Sequence, residues 1–243
     1  MRDVRGAEPW DTEDMGRQRP GARRLRFAVA SAAPLLYALW VRPLLLTWGA
    51  TRDETTLAYP GDELVQDPDG GATMATTLPA PPETVWAWLV QMGGDRGGWY
   101  SWDWLDNNGR PSADRIVPEW QSLEQGQHLH RVVRPGAAGT GKFTVVTLEP
   151  NRALVLRSTY ELPSWRSFDP GSGVMPRAYG DGIWGWHLRP LAGGRTRLVV
   201  RTRSQGRPRQ FTWAFGLLVG EPVHFIMQTR QFHNLRTRVG AEV

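Results

Sequence analysis

The chain has 243 residues, a formal charge of +5 and 40% hydrophobic residues, enough for one large domain or two small ones. It has no cysteine, which excludes disulfides, thiolate nucleophiles and cysteine-ligated metals. The basic excess is arginine, with Lys142 the sole lysine; it is spread along the chain without a zinc-finger, homeodomain or RRM signature, so no nucleic-acid partner is expected.

Residues 1–24 are polar, rich in Pro and Gly, and aperiodic, and are read as a disordered tail. Residues 25–50, LRFAVASAAPLLYALWVRPLLLTWGA, are read as an apolar membrane-associated or transmembrane helix. The uncharged run Phe27–Val41 falls short of the ~20 apolar residues a spanning helix needs. Extension to Ala50 reaches that length but takes in Arg42, Pro34 and Pro43. A single-pass anchor, an interfacial or domain-packed helix, and a poor signal peptide therefore stay open. Residues 51–71 read as a linker.

A folded domain is expected over 72–240. ATMATTL (72–78) is strand-like. PPETVWAWLVQM (81–92) is a helix whose Val85, Trp88, Leu89 and Met92 form one apolar stripe, stopped by Gly93 and Gly94. Ser101 is placed to cap a short helix, WDWLDN. QHLHRVV, KFTVVTLE, ALVLRSTYEL, GIWGWHLRPL and TRLVVRTR then read as antiparallel strands. In the last of these Arg195, Arg197, Arg201 and Arg203 share a face read as solvated. A long loop over 161–181 suits a lid or binding loop. A final helix opens at Glu221–Pro222, with Phe225, Phe232, Leu235 and Val239 along one side.

Three blocks carry a resemblance: APPETVWAWLVQMGGDRGGWYSWDWLDN, SADRIVPEWQ (112–121) and EPVHFIMQTR (221–230). Together with the element order they resemble the SRPBCC or START-like (Bet v 1-like, polyketide cyclase-type) superfamily, in a bacterial subgroup with an apolar segment before the domain. The resemblance implies an α+β helix-grip fold, a curved antiparallel sheet wrapped around a long C-terminal helix, here preceded by the N-terminal apolar helix. It also implies an internal apolar cavity between sheet and helix. Members bind lipids, sterols or polyketides, and some are cyclases or dehydratases. A hydrophobic small molecule or lipid is therefore the expected partner, with no cofactor. The enzyme reading and a membrane-anchored interaction protein with a filled cavity are the alternatives.

Within QMGGDRGGWYSWDW (91–104), the aromatics read either as pocket lining or as core. Thirteen tryptophans need a large core or a cavity to line. The candidate ligand-binding residues are Trp88, Arg96, Trp99, Tyr100, Trp102, Asp103, Trp104, Trp184, Trp186 and His224, with Arg96 and Asp103 orienting a polar ligand end. Asp103, His187 and His224 are the weak catalytic candidates. Glu221, three residues before His224, lies within reach of its ring. Asp114, Arg115 and Glu119 suit a salt-bridge network. GAAGTGKF (136–143) departs from a phosphate-binding loop, because Phe143 takes the place of the hydroxyl residue and a strand follows. His128 and His130 share a strand face but lack a convincing third ligand, so no metal is expected.

Overall fold

Side chains on a strand alternate between the two faces of its sheet, and in this chain each face has its own chemistry. The computed structural model describes residues 36–131 and 141–241. The tail over 1–24 and the first part of the apolar segment, 25–35, lie outside the described residues. The chain divides into two units, up to Pro43 and from Leu44 onward. In the first, Tyr37–Val41 is a π-helical turn, with Leu39 and Trp40 exposed. The short helix α1 (Arg42–Leu46) follows. The apolar helix expected over 25–50 is thus not shown, and among the described residues no helix is long and apolar enough to cross a membrane.

The second unit is α+β. Six strands, β1 (Gly70–Leu78), β2 (His128–His130), β3 (Lys142–Glu149), β4 (Ala153–Glu161), β5 (Tyr179–Leu191) and β6 (Arg195–Arg207), form one curved antiparallel sheet in the order β1-β6-β5-β4-β3-β2. Helix α2 (Arg52–Thr56) precedes the sheet. Helices α3 (Pro82–Val90) and α4 (Asp103–Asp106) lie between β1 and β2. After β6, helix α5 (Arg209–Phe215), a π-helical turn (Gly216–Gly220) and α6 (Glu221–Gly240) run on without leaving helical backbone.

The inner face of the sheet carries Met74, Leu78, Leu154, Leu156, Trp186, Leu198 and Val200, all fully buried. Val85, Trp88, Leu89 and Met92 of the predicted stripe close over it, as do Phe232, Leu235 and Val239 of α6. At ~25 cal/mol per Å² of apolar surface, this face is the main stabilising term.

The arginine face is solvated only at Arg195; Arg197, Arg201 and Arg203 are covered. Residues 51–65, expected in a linker, lie across it. Thr51 caps α2 by a capping box, accepting from the Glu54 amide at 3.2 Å while the Glu54 carboxylate accepts from the Thr51 amide at 2.8 Å. The same carboxylate takes Arg197 in a fork at 2.8 and 2.7 Å. Asp62 takes Arg201 at 3.0 and 3.1 Å and approaches Arg203 at 3.5 Å. Val65 packs on Val155 and Ile183. Arg197, Arg201 and Arg203 are therefore paired under these residues rather than solvated. The paired arginine holds the Glu54 carboxyl at about 2, well below its usual range.

Glu54 is nearly sealed from solvent, so cutting it leaves a buried guanidinium unpaired. Glu54→Ala is expected to cost about 3–5 kcal/mol in urea unfolding. Adding Arg197→Met should recover part of that loss, because the stranded charge goes with it.

Candidate functional site

The glycine-rich turn answers to packing. Gly93 and Gly98, both at positive φ, close a loop on themselves through paired amide–carbonyl bonds of 3.1 and 2.9 Å. Gly94 donates to the His130 carbonyl at 2.8 Å and pins the loop to β2. Arg96 donates to the Trp120 carbonyl, and Asp103 accepts from the Ser112 amide and hydroxyl at 3.1 and 2.5 Å. Both polar groups expected to orient a ligand are thus engaged in fixing loops. Ser101 does not cap α4; its hydroxyl donates to the Met227 carbonyl at 3.1 Å, and Trp102 takes the cap position.

The aromatic candidates divide into three groups. Trp88 and Tyr100 are buried edge to face at 5.8 Å, with Tyr100 accepting from Gln91 at 2.9 Å. Trp102 and Trp104 are exposed, Trp102 beneath the Arg230 guanidinium at 4.8 Å. Trp99, Trp184 and Trp186 cluster on the inner face: Trp99 stacks on Trp184 at 5.6 Å, Trp184 meets Trp186 at 4.3 Å, and Phe143 stands edge-on to Trp99 at 5.3 Å. His224 of α6 meets Trp184 edge-on at 6.2 Å.

Sequence reasoning missed two glutamines that join this cluster to the helix. Trp186 Nε1 donates to Gln231 Oε1 at 2.9 Å, Trp184 Nε1 to Gln228 Oε1 at 3.2 Å, and Gln228 donates onward to Gln231 at 2.9 Å. The signal was available, since polar residues at 228 and 231 interrupt the apolar stripe that runs to Leu235 and Val239.

Strand register then exposes a gradient across the inner face. One cross-strand row reads Leu154, Trp186, Val200, Met74 and is fully buried. The next reads Leu156, Trp184, Thr202, Ala72. The third reads Ser158, Gly182, Ser204, Gly70, the smallest side chains available. At the first row helix and sheet meet through the Trp186–Gln231 bond. At the third the cover thins: Ser204 is exposed although β6 is an interior strand, and Ser158, Gly182, Thr202 and Trp184 are half-buried. Along these rows the side chains shorten and exposure rises away from the Trp99, Trp184 and Trp186 cluster. His224 Nε2, on the ring that meets Trp184, is buried without a hydrogen-bond partner. Burial alone holds the His224 pKa at about 4, the direction opposite to that a carboxylate partner would give.

The three catalytic candidates do not share a site. His187 is on the outer face against Tyr59 at 4.7 Å, His224 is on the inner face, and Asp103 is bound to Ser112. His130 binds Asp95 at 3.1 Å and His128 pairs with Thr144 and Lys142, each at 3.1 Å. The 112–121 segment is held through its backbone, with Gln91 donating to the Arg115 carbonyl and accepting from the Val117 amide. Residues 136–140 of GAAGTGKF lie outside the described residues; β3 begins at Lys142.

No protein-family model matches the chain, and no curated protein matches it significantly. Solved structures do. A hypothetical protein from Helicobacter pylori is 12% identical, with 75% of this chain and 95% of that chain covered, at a TM-score of 0.44. A protein from Nitrosomonas europaea is 14% identical over 72% of this chain and 97% of its own, also at 0.44. One from Mesorhizobium loti is 18% identical over 71% and 98%, at 0.35. At these scores the likenesses carry no argument about activity or descent.

Asp106, also missed from sequence, is buried, and neither carboxylate oxygen has a hydrogen-bond partner. Burial, with Asp103 adding repulsion, raises its pKa from 3.8 to about 7. Between those values the folded state keeps a proton that the unfolded chain has lost, so this contribution to stability is full at low pH and is lost as pH rises toward 7. Asp106→Asn is expected to raise stability by about 1–3 kcal/mol near pH 8, the gain shrinking toward zero at about pH 4, in urea melts across that range.

Proposed function

We propose that this chain binds a hydrophobic small molecule or lipid in the cleft between the inner sheet face and the C-terminal helix. The observation that carries the reading is the row of Ser158, Gly182, Ser204 and Gly70, small residues that leave Ser204 exposed on an interior strand next to the Trp184 row. A site for an apolar guest needs an apolar wall and a few placed polar groups. Trp99, Phe143 and Trp184 supply the wall. The unpartnered Nε2 of His224 supplies the polar group, neutral at physiological pH and able to donate or accept. The guest is therefore apolar with one hydrogen-bonding end.

The reading agrees with the resemblance to the SRPBCC or START-like superfamily, whose helix-grip fold encloses an apolar cavity. It is preferred to cyclase or dehydratase chemistry because Asp103, His187 and His224 have separate neighbours, so these three do not converge as an acid–base set. A fully self-filled interior accounts for the Trp186 row but not for exposed Ser204.

Solvent extraction and mass spectrometry of the purified full-length protein test the proposal. The expected result is a stoichiometric apolar species whose occupancy falls about two- to tenfold in His224→Leu, the loss of one hydrogen bond. Absence of any extracted species from the wild-type protein, with no uptake of added fatty acid, overturns it.

A further inference from the structure

The C-terminal helical run has a second apolar face, turned away from the sheet. Phe211, Phe215, Leu218, Val219, Val223 and Ile226 recur at roughly helical spacing, and all are exposed. Leu218 is 75% exposed. No charged residue occurs between Arg209 and Glu221. A contiguous apolar stripe of this kind on a folded surface marks an interaction site rather than ordinary surface. It also has no role in the cleft, since the residues that bond to the sheet, Gln228 and Gln231, come later in the helix.

We propose that this face, Phe211 to Ile226, docks the domain onto a lipid bilayer, lying in the interface with its axis along the surface. Two features select the bilayer as occupant. The first is continuity with the apolar segment that leads into the domain. Trp48 packs edge-on to Phe225 at 5.5 Å, and Trp48 and Leu44 are themselves exposed. Upstream the sequence runs uncharged from Val41 back to Phe27. Trp48 thus joins its exposed apolar surface to the helix that carries the stripe. The second is composition. Tryptophan favours the membrane–water boundary, and Trp48 and Trp213 are both exposed here. Exposed Arg177 and Arg207 stand at the same end of the sheet, joined through the Tyr179–Arg207 pair, where anionic headgroups would meet them. An amphipathic helix with an aromatic apolar face and flanking arginines has the chemistry of an interfacial anchor.

This surface does not depend on the cleft holding a guest, so either idea can fail alone. Because the chain lacks cysteine, one introduced thiol reports on one place. Full-length Leu218→Cys and Arg152→Cys are each labelled with an environment-sensitive fluorophore; the Arg152 side chain is 80% exposed. Each is mixed with phosphatidylcholine–phosphatidylglycerol vesicles, with and without spin-labelled lipid. The Leu218→Cys label should shift to the blue and be quenched by the spin label, and the Arg152→Cys label should do neither. Four results overturn the proposal. The chain fails to bind vesicles. The position-218 label stays wet while the chain floats with the vesicles, which leaves only the N-terminal run in the membrane. The label is shielded without vesicles in a dilution-dependent way, which makes the face a contact between two copies. Or it is shielded at every dilution, which makes its cover the chain's own N-terminal segment.

Discussion

A tryptophan side chain spans the gap between sheet and helix, and a glycine or serine does not. That difference, set row by row across the four strands β1, β6, β5 and β4, decides where the two layers touch and where they part. Trp186 reaches Gln231 and closes the interior at one row. Four residues further along each strand, Ser158, Gly182, Ser204 and Gly70 carry no side chain long enough to do so. Strand periodicity makes such a gradient simple to encode, because positions two apart share a face and neighbouring strands need only agree in register.

The gradient needs a rigid sheet, and the outer face provides one. An antiparallel sheet with a wet face can flex; this one is clamped by guanidinium–carboxylate forks that tie residues 49–65 across β5 and β6. Glu54 serves as helix cap, ion-pair partner of Arg197 and buried acid at once. Buried pairs of this sort add little net stability over apolar packing, but they fix geometry, since either partner alone is heavily penalised.

Much of this was legible in the sequence, and the failures share a cause. Apolar stripes and β-branched runs placed α3, the strands from β3 to β6 and the C-terminal helix, because local periodicity dictates them. Trp99, Trp184 and His224 were also singled out, and the fold brings them into ring contact, Trp184 touching both of the others. The Glu54, Asp62 and Arg201 clamp was not, although T-x-x-E at 51–54 is a capping-box signal and marked an ordered segment where a linker was expected. Arg96 and Asp103 were assigned to a ligand because sequence shows charges among aromatics but not the carbonyls and hydroxyls that occupy them. The small-residue row was invisible for the same reason: no stretch of sequence contains it, and only register assembles it.

The central claim is that empty space above Ser204 takes a guest, and filling that space tests it most directly. Parinaric acid, an apolar fluorescent fatty acid with one polar end, can be titrated into the full-length protein and into Ser204→Trp. Position 204 is exposed, so the larger side chain should leave the thermal midpoint nearly unchanged. The account predicts saturable uptake by the wild-type protein and at least about tenfold weaker uptake by the filled variant, the effect of losing the apolar contact area. Equal uptake by both proteins, or none by either, would contradict it.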